Sequence, residues 1–315
     1  MLDSSEKRKH PMSEQITEAE YPQHPTAGWI PLAYHTALLD DEVRCQFFEQ
    51  SLAQVAKPDW VVLDLGGGTG ILSSFAARHC KKVFAIEQDP RTANALRRMV
   101  KENQLENKIT VIEQDASLFV PPEPVHGVVC EMMHVGLLKE PQVPVMNAVH
   151  NTLKKNQPGK PYTVFPTLGL SSVTLLQYDF TRHGYKARFP HYLSAVGQQK
   201  YMTNLSAPVA YWEADFQDYV NPKLQAKVAG SVLQDGTLNA LCMNTTAVFF
   251  KNPKLPIKEE TLLWNLYGFI YPLEREIQVK RGSEFQVEIS YVAGESPDRV
   301  NLRVYAQGST LKNLD

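Results

Sequence analysis

Val61-Val62-Leu63-Asp64-Leu65-Gly66-Gly67-Gly68-Thr69-Gly70 is the stretch that decides the fold, and Ile86-Glu87 follows it sixteen residues later. Four apolar positions within 61–65 are typical of a strand covered on both faces, and the glycines permit backbone angles and a close approach that side chains would block. A helix and a second strand follow, so Glu87 falls at a strand's carboxyl end, where open α/β sheets hold their ligands. The pattern predicts a nucleoside site, with Glu87 accepting hydrogen bonds from both ribose hydroxyls.

The glycine spacing discriminates between two nucleoside ligands. A dinucleotide fold prefers Gly-x-Gly-x-x-Gly with its third glycine inside the helix, whereas this chain has Ile71 at that position. Gly66, Gly68 and Gly70 instead follow the pattern of S-adenosylmethionine sites. These residues favour a methyl donor and leave a nicotinamide dinucleotide open as the alternative.

Composition bounds the class of protein. The 315 residues give room for about two domains, and a net charge of −2 with 43% hydrophobic residues marks neither a nucleic-acid binder nor a disordered chain. The four cysteines are widely spaced, which favours reduced thiols over a zinc site. The charged start is unlike a secretory signal, and no run approaches the roughly 20 apolar residues that cross a bilayer. We expect a cytoplasmic protein with no membrane and no nucleic-acid partner.

The order of predicted elements indicates an α/β fold in which a doubly wound sheet precedes a mainly antiparallel one. Residues 1–30 are polar and predicted to be flexible, 31–165 form the nucleoside-binding domain, and 166–315 form a β domain. Apolar spacing predicts a helix over 33–53 ahead of the sheet. The alternating elements are strands at 61–65, 83–87, 109–112 and 126–131 and helices at 71–79, 91–103 and 141–155. The later strand-like runs are 162–166, 169–178, 238–250, 261–271, 274–280, 284–292 and 300–306.

Two glutamates follow the fourth predicted strand. Glu131 and Glu140 lie nine residues apart, across a loop long enough to fold back at the top of the sheet. Two facing carboxylates can grip a planar cation through paired hydrogen bonds. The alternative is a pair of solvated loop charges, and the position after the fourth strand of a donor-binding sheet favours the grip.

Several segments in order resemble the protein arginine methyltransferases, from about residue 29 to 306. The matching segments are 35–44 (His-Thr-Ala-Leu-Leu-Asp-Asp-Glu-Val-Arg), 65–70, Ile86-Glu87, the loop from Glu131 to Glu140, Phe165-Pro166 and Trp264. The resemblance implies a Rossmann-like methyltransferase domain followed by a barrel-like β domain, with S-adenosylmethionine as the cofactor.

The resemblance also implies roles for individual residues. Arg44 would pair with the donor's methionine carboxylate, His35 would help to close the pocket, and Glu131 and Glu140 would be catalytic and hold the acceptor. The remaining residues of the implied cofactor site are Asp64, Gly66, Gly68, Gly70, Glu87, Asp115, Ala116 and Ser117.

Departures from the family pattern cluster on the acceptor side. The usual paired tyrosines are absent, and Trp29 is a candidate to cap the pocket in their place. Met132 and Val135 replace aromatic residues of the glutamate loop, and Leu263 replaces the histidine that precedes Trp264. These changes predict a less aromatic acceptor pocket, with Trp29, Met132, Val135 and Trp264 as candidate substrate-binding residues.

In the family, an inserted helical arm docks on the partner's donor domain. Residues 179–220 have a suitable length and many aromatic residues, including Tyr185, Phe189 and Tyr192. The resemblance therefore implies a two-fold symmetric homodimer, although the same aromatic residues could line the substrate wall of a monomer.

Together these features predict an S-adenosylmethionine-dependent N-methyltransferase that acts on a guanidino nitrogen. The altered pocket favours free arginine or another small guanidine or amine metabolite, and an arginine-containing protein is the close alternative. A non-catalytic protein that binds the donor or a partner is a further alternative, against which the two glutamates speak.

Overall fold

A computed structural model describes residues 35, 38–193, 199–249, 263–265 and 268–314, with the backbone alone at 199 and 263–265. The first sheet is parallel, with strand order β3-β2-β1-β4-β5. Its strands are β1 (Val61–Leu65), β2 (Lys82–Glu87), β3 (Ile109–Glu113), β4 (Gly127–Cys130) and β5 (Thr163–Phe165).

Helices alternate with these strands. They are α1 (Glu42–Val55), α2 (Ile71–His79), α3 (Pro90–Glu102) and α4 (Gln142–Asn156). The strand order reverses between β1 and β4, and doubly wound sheets bind ligands in the crevice at such a point. The glycine turn after β1 and Glu131 after β4 are therefore brought to one edge of the sheet.

The remaining strands form antiparallel sheets. The larger runs β10-β6-β13-β15-β9, with β11 also paired to β6 and β14 to β13; a second runs β12-β16-β17-β18, and β7 pairs with β8. Their bounds are β6 (Leu168–Tyr178), β7 (Thr181–Arg182), β8 (Tyr185–Lys186), β9 (His191–Leu193), β10 (Met202–Asn204), β11 (Val209–Asp215), β12 (Lys223–Ser231), β13 (Gly236–Val248), β14 (Leu263–Asn265), β15 (Gly268–Val279), β16 (Glu284–Val292), β17 (Asn301–Ala306) and β18 (Ser309–Lys312).

The two larger antiparallel sheets are joined at two points and share a core with the parallel sheet. Isolated bridges pair Ser206 with Val232 and Leu273 with Asn313. One cluster of buried side chains runs from α1 and the parallel sheet through the glutamate loop into both antiparallel sheets. The predicted order of a doubly wound α/β region followed by an antiparallel β region is confirmed. No helix in the described ranges has the length and apolar character of a membrane span.

Two elements differ from the sequence predictions. The helix predicted over 33–53 is interrupted at Asp41, whose carboxylate accepts a hydrogen bond from the Arg44 amide at 2.9 Å and so begins α1 anew. The described residues of 179–220 contain strands and a short 3-10 helix, with no α-helical arm. Ladder pairing of β10 and β11 with β6 takes the backbone groups that a helix would use internally.

Candidate active site

The glycine turn folds back onto β2. The amides of Gly66 and Gly67 both donate to the carbonyl of Ile86 at 2.9 Å. Gly66, Gly68 and Gly70 have φ values of 72°, 55° and 88°, in the left-handed region that favours glycine. Any other residue at these three positions would strain the turn.

Glu87 lies against this turn at the end of β2. Its Oε2 accepts from the Gly68 amide at 3.0 Å, and its Oε1 accepts from the Asp89 amide at 2.8 Å. Burial raises the pKa of Glu87, and the backbone amides of Asp89, Gly68 and Gln88 oppose that shift. Because a carboxylate has about four acceptor sites, Glu87 keeps the capacity to accept from two further hydroxyls.

Asp64 lies behind the turn, inside β1. It is 1% exposed, and its Oδ2 accepts a 2.5 Å hydrogen bond from the Ser73 hydroxyl of α2. Burial raises the pKa of Asp64 to about 6. Its side chain therefore joins β1 to α2. Asp64 would act on a bound donor indirectly, by holding the glycine turn in place.

Three residues predicted to border the adenine follow β3, next to Glu87. Asp115 Oδ1 accepts from the Ser117 amide at 2.8 Å and from the Ser117 hydroxyl at 2.7 Å, which caps a short 3-10 helix at Ala116–Leu118. Ala116 is buried. The adjoining Gln114 amide donates to the Glu87 carbonyl at 3.1 Å, so this segment and the ribose candidate share one edge of the sheet.

Arg44 forms a buried ion pair with Glu131. Its Nε donates to Glu131 Oε2 at 3.0 Å, its Nη2 donates to the same oxygen, and its Nη1 donates to the Leu38 carbonyl at 3.2 Å. The side chains of Arg44 and Glu131 are 4% and 6% exposed. Burial lowers and the Glu131 carboxylate raises the pKa of Arg44, with a net upward shift. The helix before the sheet is thereby joined to the glutamate loop.

His35 lies over the turn. Its Cε1 and Nδ1 are 3.2 Å from the point where a Cβ on Gly68 would stand. Burial and the nearby Arg44 charge lower the pKa of His35, which favours the neutral imidazole. His35, Gly68 and Arg44 therefore occupy one region.

The glutamate loop is bonded to the turn at 294–295. The Leu137 carbonyl accepts from the Gly294 amide, and the Lys139 amide donates to the Glu295 carbonyl, each at 2.8 Å. Burial, followed by the Glu131 carboxylate, raises the pKa of Glu140 to about 8. In the described ranges no side chain or amide donates a hydrogen bond to the Glu140 carboxylate. The two carboxylates of the loop therefore repel each other, and among the described residues an arginine forms an ion pair with Glu131 and not with Glu140.

The four candidate substrate-binding residues are placed differently. Met132 Cγ and Sδ lie 3.1 Å from the point where a Cβ on Gly66 would stand, so Met132 packs against the donor turn. Val135 is 1% exposed and packs in the core, away from any open wall of the described structure. The backbone of Trp264 pairs with Ala247, and Trp29 lies outside the described residues.

Contacts that the sequence did not predict secure the loop. His134 is buried and its Nε2 meets the Tyr192 hydroxyl of β9, while burial lowers the pKa of His134 to about 4. The Gly136 amide donates to the Thr245 hydroxyl of β13 at 2.6 Å. In the sequence these contacts are marked only by polar residues within apolar runs, and that pattern does not show which residues they bond to. Cys45, Cys80, Cys130 and Cys242 are free thiols, and no group of side chains in the described part of the chain has the make-up of a metal site.

Comparison with known proteins agrees with this architecture. Residues 62–156 match the family model described as "Methyltransferase domain". The chain contains a methyltransferase domain. It is 35% identical over 144 residues to an uncharacterized protein of Methanocaldococcus jannaschii, covering 46% of this chain and 54% of that protein. It is 32% identical over 141 residues to protein arginine N-methyltransferase 6 of Xenopus tropicalis, covering 44% of this chain and 39% of that protein.

These matches leave much of each relative uncovered, since the chain spans about half or less of the length of the curated relatives it matches. The structural likeness is broader. One chain of the Trypanosoma brucei PRMT1 enzyme-prozyme heterotetrameric complex with AdoHcy superimposes with a TM-score of 0.68 at 17% sequence identity. The match covers 89% of the present chain and 98% of that chain. At that identity the likeness shows the fold alone, and it is the fold that the resemblance to protein arginine methyltransferases implied.

Proposed function

We propose that this protein is an S-adenosylmethionine-dependent N-methyltransferase of arginine-methyltransferase type. The observation that carries the proposal is the arrangement of Glu131 and Glu140 in one folded-back loop beside the glycine turn and Glu87. A donor site and a site for a planar cation thereby adjoin each other. The methyltransferase match over 62–156 supports the same reaction class.

The residues of the turn fit the donor. The Glu87 carboxylate, held by two amides, suits the two hydroxyls of a ribose. Arg44 would pair with the donor's carboxylate, and Asp115, Ala116 and Ser117 would border the adenine. S-adenosylmethionine, when bound, supplies an electrophilic methyl group on a positively charged sulfur.

The two glutamates would orient the acceptor. A guanidinium is planar and remains protonated at physiological pH, so paired carboxylates can fix its plane through hydrogen bonds. Positioning of this kind and electrostatic stabilisation supply most of the rate gain in such transfers. Glu131 is itself fixed by Arg44, so its carboxylate is a rigid partner for the acceptor.

Glu140 is the group best suited to take the proton. One nitrogen of the guanidinium gains the methyl group and loses a proton, and a general base must lie within reach of that proton. Glu131 is bonded to Arg44 and the buried His134 to Tyr192, whereas no side chain or amide of the described residues donates a hydrogen bond to the Glu140 carboxylate. We therefore assign the proton to Glu140.

The acceptor we propose is free arginine or another small guanidine or amine metabolite. Met132 lies against Gly66 and Val135 is buried, so neither adds an aromatic wall for a peptide. A protein arginine is the second candidate, favoured by the similarity to protein arginine N-methyltransferase 6.

A competition assay separates these acceptors. Labelled S-adenosylmethionine is supplied with equimolar free arginine, a set of small guanidines and an arginine-glycine-rich peptide, and products are resolved by mass spectrometry. We expect kcat/KM at least about tenfold higher for a small guanidine, about 1.4 kcal/mol in transition-state binding. Preferential labelling of the peptide would favour the protein substrate, and donor binding without any labelled product would favour a non-catalytic protein.

We further propose a homodimer that uses the segment 179–220. Tyr185 and Phe189 of this segment are 79% and 59% exposed, and Val43 at the start of α1 is 55% exposed. Lys186 follows Tyr185 in the segment 179–220, and Glu42 precedes Val43 in α1. These opposite charges suit contact between the segment of one copy and the helix of another. Light scattering should give a dimer for the wild type and a monomer for Tyr185→Ser with Phe189→Ser. A monomeric wild type would contradict the proposal.

A further inference from the structure

Gln142, the first residue of α4, bonds to the backbone on both sides of Glu131. It is fully buried, its Nε2 donates to the Cys130 carbonyl at 2.9 Å, and its Oε1 accepts from the Met132 amide at 2.9 Å. The Cys130 thiol also donates to Oε1 at 3.3 Å. A single side-chain amide thus brackets Glu131.

The geometry of these bonds is that of a parallel ladder. The last ladder pairs of β4 join Cys130 to Leu65 and Val129 to Phe165, so Glu131 lies one residue beyond the sheet. A residue of a parallel neighbouring strand would accept from the amide after Glu131 and donate to the carbonyl before it. The Gln142 amide carries one donor and one acceptor at those two places, and so continues the ladder where the strands have ended.

We propose that Gln142 is a positioning residue that fixes the backbone of Glu131 and thereby aims its carboxylate at the acceptor. The inference rests on the proposed function, because it assigns Glu131 a part in holding the acceptor. The side chain of Glu131 is held separately, by Arg44 and by the Met133 amide at 3.4 Å. Without Gln142 the Glu131 carboxylate would still bond to Arg44 and the Met133 amide, but the backbone of Glu131 would be free to shift. A shift of about 1 Å in a positioning group costs up to about 100-fold in rate.

Gln157 provides a matched control at the other end of the same helix. It is also buried, its Nε2 donates to the Val125 carbonyl at 2.9 Å, and its Oε1 accepts from the Val125 amide at 2.7 Å. The residue type, the helix and the two kinds of hydrogen bond are the same. Gln157 bonds to the one residue Val125 and lies far along the chain from the glutamate loop, whereas Gln142 bonds to the two residues that flank Glu131.

The experiment compares Gln142→Met with Gln157→Met in the full chain. We expect similar losses of melting temperature, S-adenosylhomocysteine affinity within about twofold of wild type for both, and kcat reduced at least tenfold for Gln142→Met alone. Equal kcat in the two variants would overturn the proposal. If Gln142→Met does not fold, Gln142→Asn and Gln157→Asn repeat the comparison, because the shorter amide reaches only one of the two backbone groups.

A second measurement needs no turnover. If Gln142 holds Glu131 where Arg44 meets it, then Glu131→Gln should lower the melting temperature less in the Gln142→Met background than in the Gln157→Met background. Equal decreases would overturn the positioning role. A wild-type enzyme that methylates no acceptor would count against the proposed function, while this thermal cycle would still test the role of Gln142.

Discussion

Arg44 and Glu131 form a buried ion pair that joins the helix preceding the sheet to the loop following its fourth strand. The pair spans 87 residues of sequence, and among the described residues no arginine forms an ion pair with the neighbouring carboxylate of Glu140. Two glutamates of one loop are therefore in different electrostatic states. We therefore expect the change from glutamate to glutamine to affect the stability of the protein in opposite directions at the two positions.

Glu131→Gln should destabilise the protein, whereas Glu140→Gln should stabilise it at pH 8. Removing one partner of a buried ion pair leaves an uncompensated charge and costs about 3–5 kcal/mol. Glu140 has a folded pKa of about 8, above its ordinary value of 4.5, so its contribution to stability is full below about pH 4.5 and is lost as the pH rises through 8. Thermal unfolding at pH 5 and pH 8 measures both effects. A stabilising effect of Glu140→Gln that is equal at the two pH values would contradict the close carboxylates.

The acceptor reaction should depend on the ionisation of Glu140. A cation is held by the carboxylate and not by the carboxylic acid, so kcat/KM for the acceptor should rise with unit slope to about pH 8 and then level off. A bound cation stabilises the ionised form of Glu140 and lowers its pKa, so kcat should level off at a lower pH than kcat/KM does. Steady-state rates from pH 6 to 9 with saturating donor provide the measurement, with Glu140→Gln as a low, flat reference. A kcat/KM plateau already reached at pH 6 would be incompatible with this role.

Glu87→Ala should weaken the binding of S-adenosylhomocysteine at least about tenfold, since hydrogen bonds to a charged group contribute about 1.5–3 kcal/mol. Glu113 is the control, because it is the register partner of Glu87 on β3 but pairs with Arg97 at the surface. Glu113→Ala should leave the affinity unchanged. Calorimetry measures both, and equal affinities in the two variants would remove Glu87 from the donor site.

Gly68→Ala should lose donor affinity where Gly159→Ala does not. Both glycines are left-handed, with φ of 55° and 72°, so both variants bear backbone strain of about 1–2 kcal/mol. A Cβ at Gly68 stands 3.2 Å from His35, while a Cβ at Gly159 has nothing within 4 Å. Melting temperatures should fall in both, and S-adenosylhomocysteine titration should distinguish them. Unchanged affinity in Gly68→Ala would mean that the donor does not approach this turn.

The sequence alone determined the parallel sheet and its glycine turn. Four of the five residues from Val61 to Leu65 are apolar because both faces of β1 are covered, and local spacing then fixes a turn and a helix. It also placed Glu87 at the end of one strand and Glu131 directly after another, as the structure has them at the ends of β2 and β4. Strand β12 was not predicted, since its inward positions after Leu224 are Ala226 and Val228, flanked by further small residues that give a weak alternating signal.

Tertiary structure decided which side chains meet. Arg44 reaches Glu131, His134 reaches Tyr192, and Gln142 brackets Glu131, and no local pattern specifies any of these pairs. It also set the ionisation of Glu140, because burial and a neighbouring carboxylate exist only after the loop has folded against the 294–295 turn. Secondary structure follows from periodicity along the chain, whereas the charge state and aim of a side chain follow from groups that are distant in sequence.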